Sequence, residues 1–236
     1  MAYGLQIVNP SGELVLSSET YFPVYLGKAT LSGSVVAPTT TLGGYSLYTF
    51  TYSGQILPVL KLDSTKRGTI ISYSQAGSTW TIKVSFRDTS TNAQGFFTQY
   101  LAEVFVFGFP TSLGGTWGGA IYDASGNLVG DLTRAPMLVA SRVSWATSGA
   151  TATYSESITV PGVLGRAVDY RVRSFPHASL VDSLYEMSTF RLGTGSVIRD
   201  YDLRRRINNQ AAGDAESPTE RLGALDLWLI ELNGLT

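Results

Sequence analysis

The only histidine, His177, stands in Phe175-Pro176-His177-Ala178-Ser179, and a hydrolytic triad built on it would need a serine and a carboxylate delivered from elsewhere in the fold. No Gly-x-Ser-x-Gly elbow presents such a serine, so His177 reads as structural or exposed. Glu103, Glu156, Asp182 and Glu186 are the carboxylates from which a glycosidase would draw its acid pair, held about 5–10 Å apart. Their spacing singles out no two of them. Asp123, Ser125, Asn127 and Asp131 alternate oxygen ligands in the manner of a calcium loop. Gly126 is fourth in that run, however, where an EF-hand needs glycine sixth, and no glutamate closes it, so the run reads as a hairpin turn with Asx character. Gly193-Thr194-Gly195-Ser196 and the stretch from Gly114 to Gly119 lack the Lys-Ser/Thr of a phosphate loop and read as turns or a linker. With no cysteine, thiolate zinc sites, disulfides and cysteine nucleophiles are excluded, and one histidine excludes multi-histidine metal centres. The reading is therefore no catalytic residue, no metal ligand and no cofactor.

Arg199, Arg204, Arg205 and Arg206 form the one concentrated basic run, interspersed with or followed by Asp200, Asp202, Asp214, Glu216, Glu220 and Arg221. Nucleic-acid sites favour Lys/Arg with aromatic interleaving and few carboxylates, whereas mixed signs suit bidentate pairs across a polar protein interface. These four arginines are candidates for a subunit interface. Trp228 joins them, because Leu225, Leu227, Leu229 and Glu231 share one face of the last strand and Asp226, Trp228, Ile230 and Leu232 the other, a pattern of cover on both sides that a partner subunit would complete. The stretch from Asn208 to Thr219 reads as a flexible arm. Thirteen tyrosines and four tryptophans invite a carbohydrate platform, but at strand spacing they are more simply core and interface anchors.

The elements that position these groups follow from composition and period. The chain has 236 residues, room for one large β domain or two small ones. Charged residues reach only 15% and the formal net charge is −1, so no positive field gathers nucleic acid or anionic lipid, and a low-charge surface suits association. No apolar run approaches the roughly 20 residues that span a bilayer, and no basic n-region precedes an apolar run near Met1, so synthesis in a cytoplasm is the expectation, without membrane insertion. Ile7 to Val15 reads as a hairpin around Asn9-Pro10-Ser11-Gly12, and Ile121 to Val129 repeats its grammar 114 residues later around Asp123-Ala124-Ser125-Gly126. Further strands are expected over Tyr45 to Tyr52, Ile56 to Leu62, Thr69 to Ser74, Thr79 to Arg87, Leu101 to Phe109, Leu138 to Trp145, Ala150 to Val160, Ala167 to Phe175, Ser196 to Tyr201 and Ala224 to Leu232. Short helices are expected over Ala178 to Met187, where Leu180, Leu184 and Met187 recur at helical spacing, and over Asp200 to Asn208. The fold class is all-β: two β-sandwich-like units in tandem with little helix, residues 1–112 and 117–236, the second carrying the Arg-rich segment and the arm.

The opening Tyr3-Gly4-Leu5, the Asn9-Pro10-Ser11-Gly12 turn and the apolar Leu14-Val15-Leu16 followed by Ser17-Ser18 resemble the start of a family of small bacteriophage tail proteins, and Val104-Phe105-Val106-Phe107-Gly108-Phe109-Pro110 is similar to that family's closing strand. The resemblance covers about the first 110 residues. It implies a virion structural protein of the tail tip, baseplate or fibre attachment, located in the virion tail after assembly in the bacterial host cytoplasm. The partners it implies are other virion tail proteins and further copies of the chain in a homo-oligomer, and it carries no catalytic residue over. A receptor- or glycan-binding module displayed on the tail, with a host surface receptor as partner, is the alternative.

Overall fold

The computed structural model describes residues 6–8, 14–17, 21–32, 44–91, 97–145, 151–153, 161–164, 170–177, 180–211, 220–221 and 225–236, with side chains over 21–32, 44–88, 99–143, 161–164, 188–199 and 227–236. The protein is all-β, and no helix occurs among the described residues. In chain order the first ten strands are β1 Gln6–Val8, β2 Leu14–Ser17, β3 Val24–Lys28, β4 Thr30–Leu31, β5 Ser46–Thr51, β6 Ile56–Lys61, β7 Lys66–Ala76, β8 Thr79–Thr91, β9 Phe97–Gln99 and β10 Val104–Gly108. The next ten are β11 Ala120–Tyr122, β12 Leu128–Asp131, β13 Val139–Trp145, β14 Thr151–Thr153, β15 Pro161–Leu164, β16 Tyr170–His177, β17 Leu180–Gly193, β18 Ser196–Ala211, β19 Glu220–Arg221 and β20 Leu225–Glu231.

Both sequence hairpins form: β1 pairs with β2, and β11 with β12. The second turn is held by Asp123, whose Oδ1 accepts the N–H groups of Ser125 (2.9 Å) and Asn127 (2.8 Å), with Gly126 at φ 82° where a side chain would be strained. At its far end Asp131, fully buried, accepts from the N–H groups of Gly114 (2.8 Å) and Thr133 (2.9 Å) and pairs with Arg134 Nε at 3.0 Å. Burial works to raise the Asp131 pKa, but these donors together hold it below the ordinary aspartate value, so the hairpin is tied to the glycine-rich connector by an ionised carboxylate.

A six-stranded antiparallel sheet runs in the order β13-β20-β15-β6-β10-β3. Its two edges meet. Val24 of β3 bridges Pro136, Tyr25 N–H donates to the Ala135 carbonyl (2.7 Å) and Met137 N–H to that of Pro23 (2.9 Å). One residue further on, Leu138 accepts from Glu231 N–H (3.0 Å), and β13 begins its ladder to β20. The sheet thus closes on itself into a small barrel through this short seam. Val59, Phe105, Phe107, Ile230 and Leu232 fill its interior, with Tyr25, Leu57, Met137 and Leu164 packed against them. The outward residues of the same strands, among them Leu60, Val104, Val106, Val163, Leu227 and Leu229, pack on Tyr48, Ile70, Ile82, Val84, Phe86, Phe190 and Val197 of the second, ten-stranded sheet, ordered β14-β18-β17-β7-β8-β5-β4 with β9, β16 and β19 beside it. This is sandwich packing, with alternation along each strand deciding which layer receives a side chain. In the strand expected over Thr79 to Arg87, Trp80, Ile82, Val84 and Phe86 alternate onto one face; the last three are buried and Trp80 packs against the core partly buried.

Around the last strand both faces receive cover from within the chain, with Trp228 left 44% exposed. Leu227 and Leu229 face the large sheet, and Ile230 and Leu232 the barrel interior. The proposed division at 112/117 falls in the connector between β10 and β11, yet both sheets draw strands from either side of it, through the β6–β15 and β7–β17 pairings. The two expected short helices are strands instead. Residues 180–193 and 196–211 form one long hairpin, in which Leu184 lies opposite Arg206 and Met187 opposite Asp202. Leu180 and Leu184 lie four apart, a spacing that fits one face of a strand as well as a helix, and a two-residue turn at Thr194-Gly195 settles the choice.

Candidate functional site

One ladder row crosses all six barrel strands. Lys28 pairs with Phe105, Phe105 with Val59, Val59 with Leu164, Leu164 with Trp228, and Trp228 with Arg142. Its chemistry reads the same from either end: cation, aromatic, aliphatic, aliphatic, aromatic, cation. Lys28 Nζ lies 4.8 Å from the Phe105 ring centroid, and the Arg142 guanidinium carbon 5.8 Å from that of Trp228, so each end carries a cation–π contact. The ends differ in burial, with Phe105 2% and Trp228 44% exposed.

At the Phe105 end, Glu103 is gripped by Lys28 Nζ (2.8 Å) and Lys61 Nζ (2.5 Å). Hydrogen bonds from these two ammonium groups outweigh partial burial and hold the Glu103 carboxyl below the usual glutamate range, while the same contact raises Lys28. Beside this clamp lies a cleft of about 420 Å³ lined by Lys61, Asp63, Lys66, Phe86, Tyr100 and Glu103. Burial alone would raise Asp63, but the Thr65 hydroxyl (2.7 Å) and the N–H groups of Thr65 (2.6 Å) and Lys66 (2.9 Å) donate to its Oδ1 and keep it below its ordinary value. A glycosidic general acid needs the opposite shift, so both cleft carboxylates are ionised acceptors in form and environment.

The interface candidates are dispersed. Arg199 is 3% exposed and its Nε donates to Ser188 Oγ at 3.0 Å; a buried guanidinium of this kind works inside the sheet, and a subunit contact through Arg199 does not agree with that burial. Arg205 and Arg206 stand opposite Tyr185 and Leu184 on β18, and the ladder steps over Arg204 in a bulge; their side chains lie outside the described residues. Trp228 does reach the surface. His177 is placed at the end of β16 opposite Leu180, and Asp182 and Glu186 along β17, again by backbone only. Glu156 lies outside the described residues. Of the arm expected over Asn208 to Thr219, Asn208 to Ala211 are the end of β18 instead, where Gln210 and Ala211 pair with Val181 and Leu180 of β17, and 212–219 lie outside the described residues. Arg87 was missed: it is fully buried, with its guanidinium donating to the Gly44 carbonyl and to Gln99 Oε1 (3.3 Å). In sequence it alternates with Trp80, Ile82, Val84 and Phe86, on the opposite face of β8, which carries hydroxyls and basic groups.

Four of the exposed large apolar residues, Leu113, Trp117, Tyr122 and Leu132, belong to the second hairpin and the segments flanking it, with Trp117 89% exposed on the glycine-rich stretch, while Leu101, Leu138 and Trp228 are exposed elsewhere. Gly118 at φ 137° permits the backbone there to pass close to Thr133, whose Cγ2 would lie 2.7 Å from an added Cβ. No group of three or more metal-ligating side chains occurs among the described residues, and no helix is long and apolar enough to cross a membrane. Comparison with protein-family models, curated proteins and solved structures finds no match to this chain.

Proposed function

We propose that the protein is a structural component of a tailed bacteriophage virion, a tail-tip, baseplate or fibre-attachment protein that acts through subunit contacts. The observation that carries this reading is the exposure of Trp117, with Leu113, Tyr122 and Leu132 exposed on the same hairpin and its flanking segments, on a chain with only 15% charged residues. A nearly fully exposed tryptophan on a backbone-anchored loop is costly to leave in water and is the residue type that dominates protein interfaces. The resemblance of residues 3–18 to small tail proteins supports the virion setting. Contacts of this kind fix geometry and copy number in an assembly, with no chemical step.

The test has two arms. Mass spectrometry of purified particles is expected to find the chain in virions, and light scattering of the isolated protein to show self-association or binding to a tail partner that Trp117→Ser weakens at least tenfold. A protein that stays monomeric at high concentration and is absent from particles overturns the proposal. The glycan-binding alternative draws on the cleft, where Tyr100 stands beside Asp63, Lys66 and Glu103. Binding on a glycan array that is lost in Tyr100→Ala, while Trp117→Ser leaves it intact, selects that alternative.

A further inference from the structure

We infer that the chain is a fused pair of one repeat unit, and that the barrel seam between the units is a self-complementary interface whose natural partner is a second copy of the same unit. The hairpins give the first correspondence. Gln6–Ser17, Ile7–Leu16 and Val8–Leu14 in one, and Ala120–Asp131, Ile121–Gly130 and Tyr122–Leu128 in the other, are the same pairs displaced by a constant 114 residues, each with a register shift at the same step. The shared Ser-Gly turn alone would be weak support, since the turn itself demands those residues.

The correspondence continues where no turn requires it. In the β3–β10 ladder, Gly27 faces Val106 and Tyr25 faces Phe107, with Leu26 left over. In β13–β20, Ser141 faces Leu229 and Val139 faces Ile230, with Ala140 left over at the equivalent place. Leu57, Pro58 and Val59 of β6 face Phe107, Val106 and Phe105 as Gly162, Val163 and Leu164 of β15 face Ile230, Leu229 and Trp228. On the large sheet, Thr49, Phe50 and Thr51 face Thr81, Trp80 and Thr79 as Thr151, Ala152 and Thr153 face Ile198, Val197 and Ser196. A bulge is a specific local feature that relatives keep, so two bulges matched in two separate ladders argue for common descent.

The relation between the units is two-fold. On such an axis a residue must meet its own counterpart. Val59 pairs with Leu164, its equivalent in β15, at one seam, and Met137 N–H bonds the carbonyl of Pro23, its equivalent at the offset of 114, at the other. The barrel order β13-β20-β15-β6-β10-β3 is a palindrome of these equivalences, and so is the ladder row from Lys28 to Arg142. In sequence, Asp226 stands where Glu103 does, and Arg166 follows Leu164 by the same two residues that separate Lys61 from Val59. Neither unit closes a barrel by itself, because each supplies three of the six strands; the chain of contacts that buries Val59 and Ile230 exists only when both are present.

The experiment uses the intact chain carrying a protease site inserted between Gly115 and Thr116. After cleavage of the folded protein, the two pieces are expected to co-elute at the mass of the uncut chain and to separate only in denaturant. A cysteine-free background makes a second readout clean: Val59→Cys with Leu164→Cys, and separately Pro23→Cys with Met137→Cys, are expected to join the two pieces of the cut chain covalently on oxidation, one link for each seam. A circular permutant that opens at the same connector and joins Thr236 to Met1 through a short glycine linker is expected to fold with an unchanged circular dichroism spectrum, because the two-fold makes the order of the units irrelevant. Pieces that part as folded monomers under native conditions overturn the shared interface. A cut chain that stays together while the permutant does not fold overturns the equivalence of the units.

Discussion

Phe105 and Trp228 occupy the same position in two equivalent ladders, each flanked by a barrel aliphatic on one side and a cation on the other, yet one is sealed and the other is nearly half exposed. Register therefore decides which residues meet, and the surrounding chain decides what water reaches. Around Phe105 the seal is Tyr25, with ring centroids 6.0 Å apart, and the Lys28–Glu103–Lys61 clamp above it. The Trp228 ring keeps Arg142 over it and solvent beside it. The first end serves the core; the second leaves an aromatic face and a guanidinium partly in solvent.

The comparison breaks most directly on truncation. Phe105→Ala removes a fully packed ring and is expected to cost about 3–5 kcal/mol, while Trp228→Ala costs roughly 1–2 kcal/mol, since much of its ring is already in water. Urea unfolding midpoints of the two variants measure the difference, and equal losses would show the ends to be alike. Gly162 tests the same asymmetry from the second unit, because Leu57 holds its place in the first. An added Cβ at Gly162 would sit 2.5 Å from Val59 Cγ1 and 2.7 Å from Leu232 Cδ1, so Gly162→Ala is expected to cost about 1–3 kcal/mol through overpacking of the barrel.

Smaller effects come from charge. Glu103→Gln removes two half-exposed ion pairs and is expected to cost at most about 1 kcal/mol, fading in high salt. Because the folded Glu103 pKa lies below its unfolded value, this contribution is complete above the ordinary glutamate range and is lost as pH falls through the depressed pKa. Thermal midpoints of wild type and Glu103→Gln therefore converge in acid. The raised Lys28 carries the opposite sign: its share is complete below the ordinary lysine value and is lost as strongly alkaline pH passes its folded pKa. Last, Arg142→Ala removes a partly solvated cation–π contact, itself about 0.5–1 kcal/mol, and shifts tryptophan emission by uncovering the Trp228 ring.

Local pattern made part of this legible. The two hairpins, the β8 stripe and the all-β class follow from alternation and turn residues, which act over a few positions. The β17–β18 hairpin did not, because Leu180 and Leu184 satisfy a helical and an extended period alike and only the distant pairing with 196–211 chooses between them. Barrel closure depends on Pro136 meeting Val24, more than a hundred residues away, and has no local trace. Trp228 was legible only as a candidate subunit contact on a strand with two apolar faces, and the burial of Arg199 and Arg87 was not legible: their acceptors, Ser188 and Gly44, are supplied by other strands and loops.

The connector between β10 and β11 has one further result. In a pair of separate identical chains every mutation is written twice, once at each end of the assembly, and a change that helps one end must be tolerated at the other. Here Phe105 and Trp228 are specified by different codons, so one end can keep the molecule intact while the other drifts toward whatever it touches.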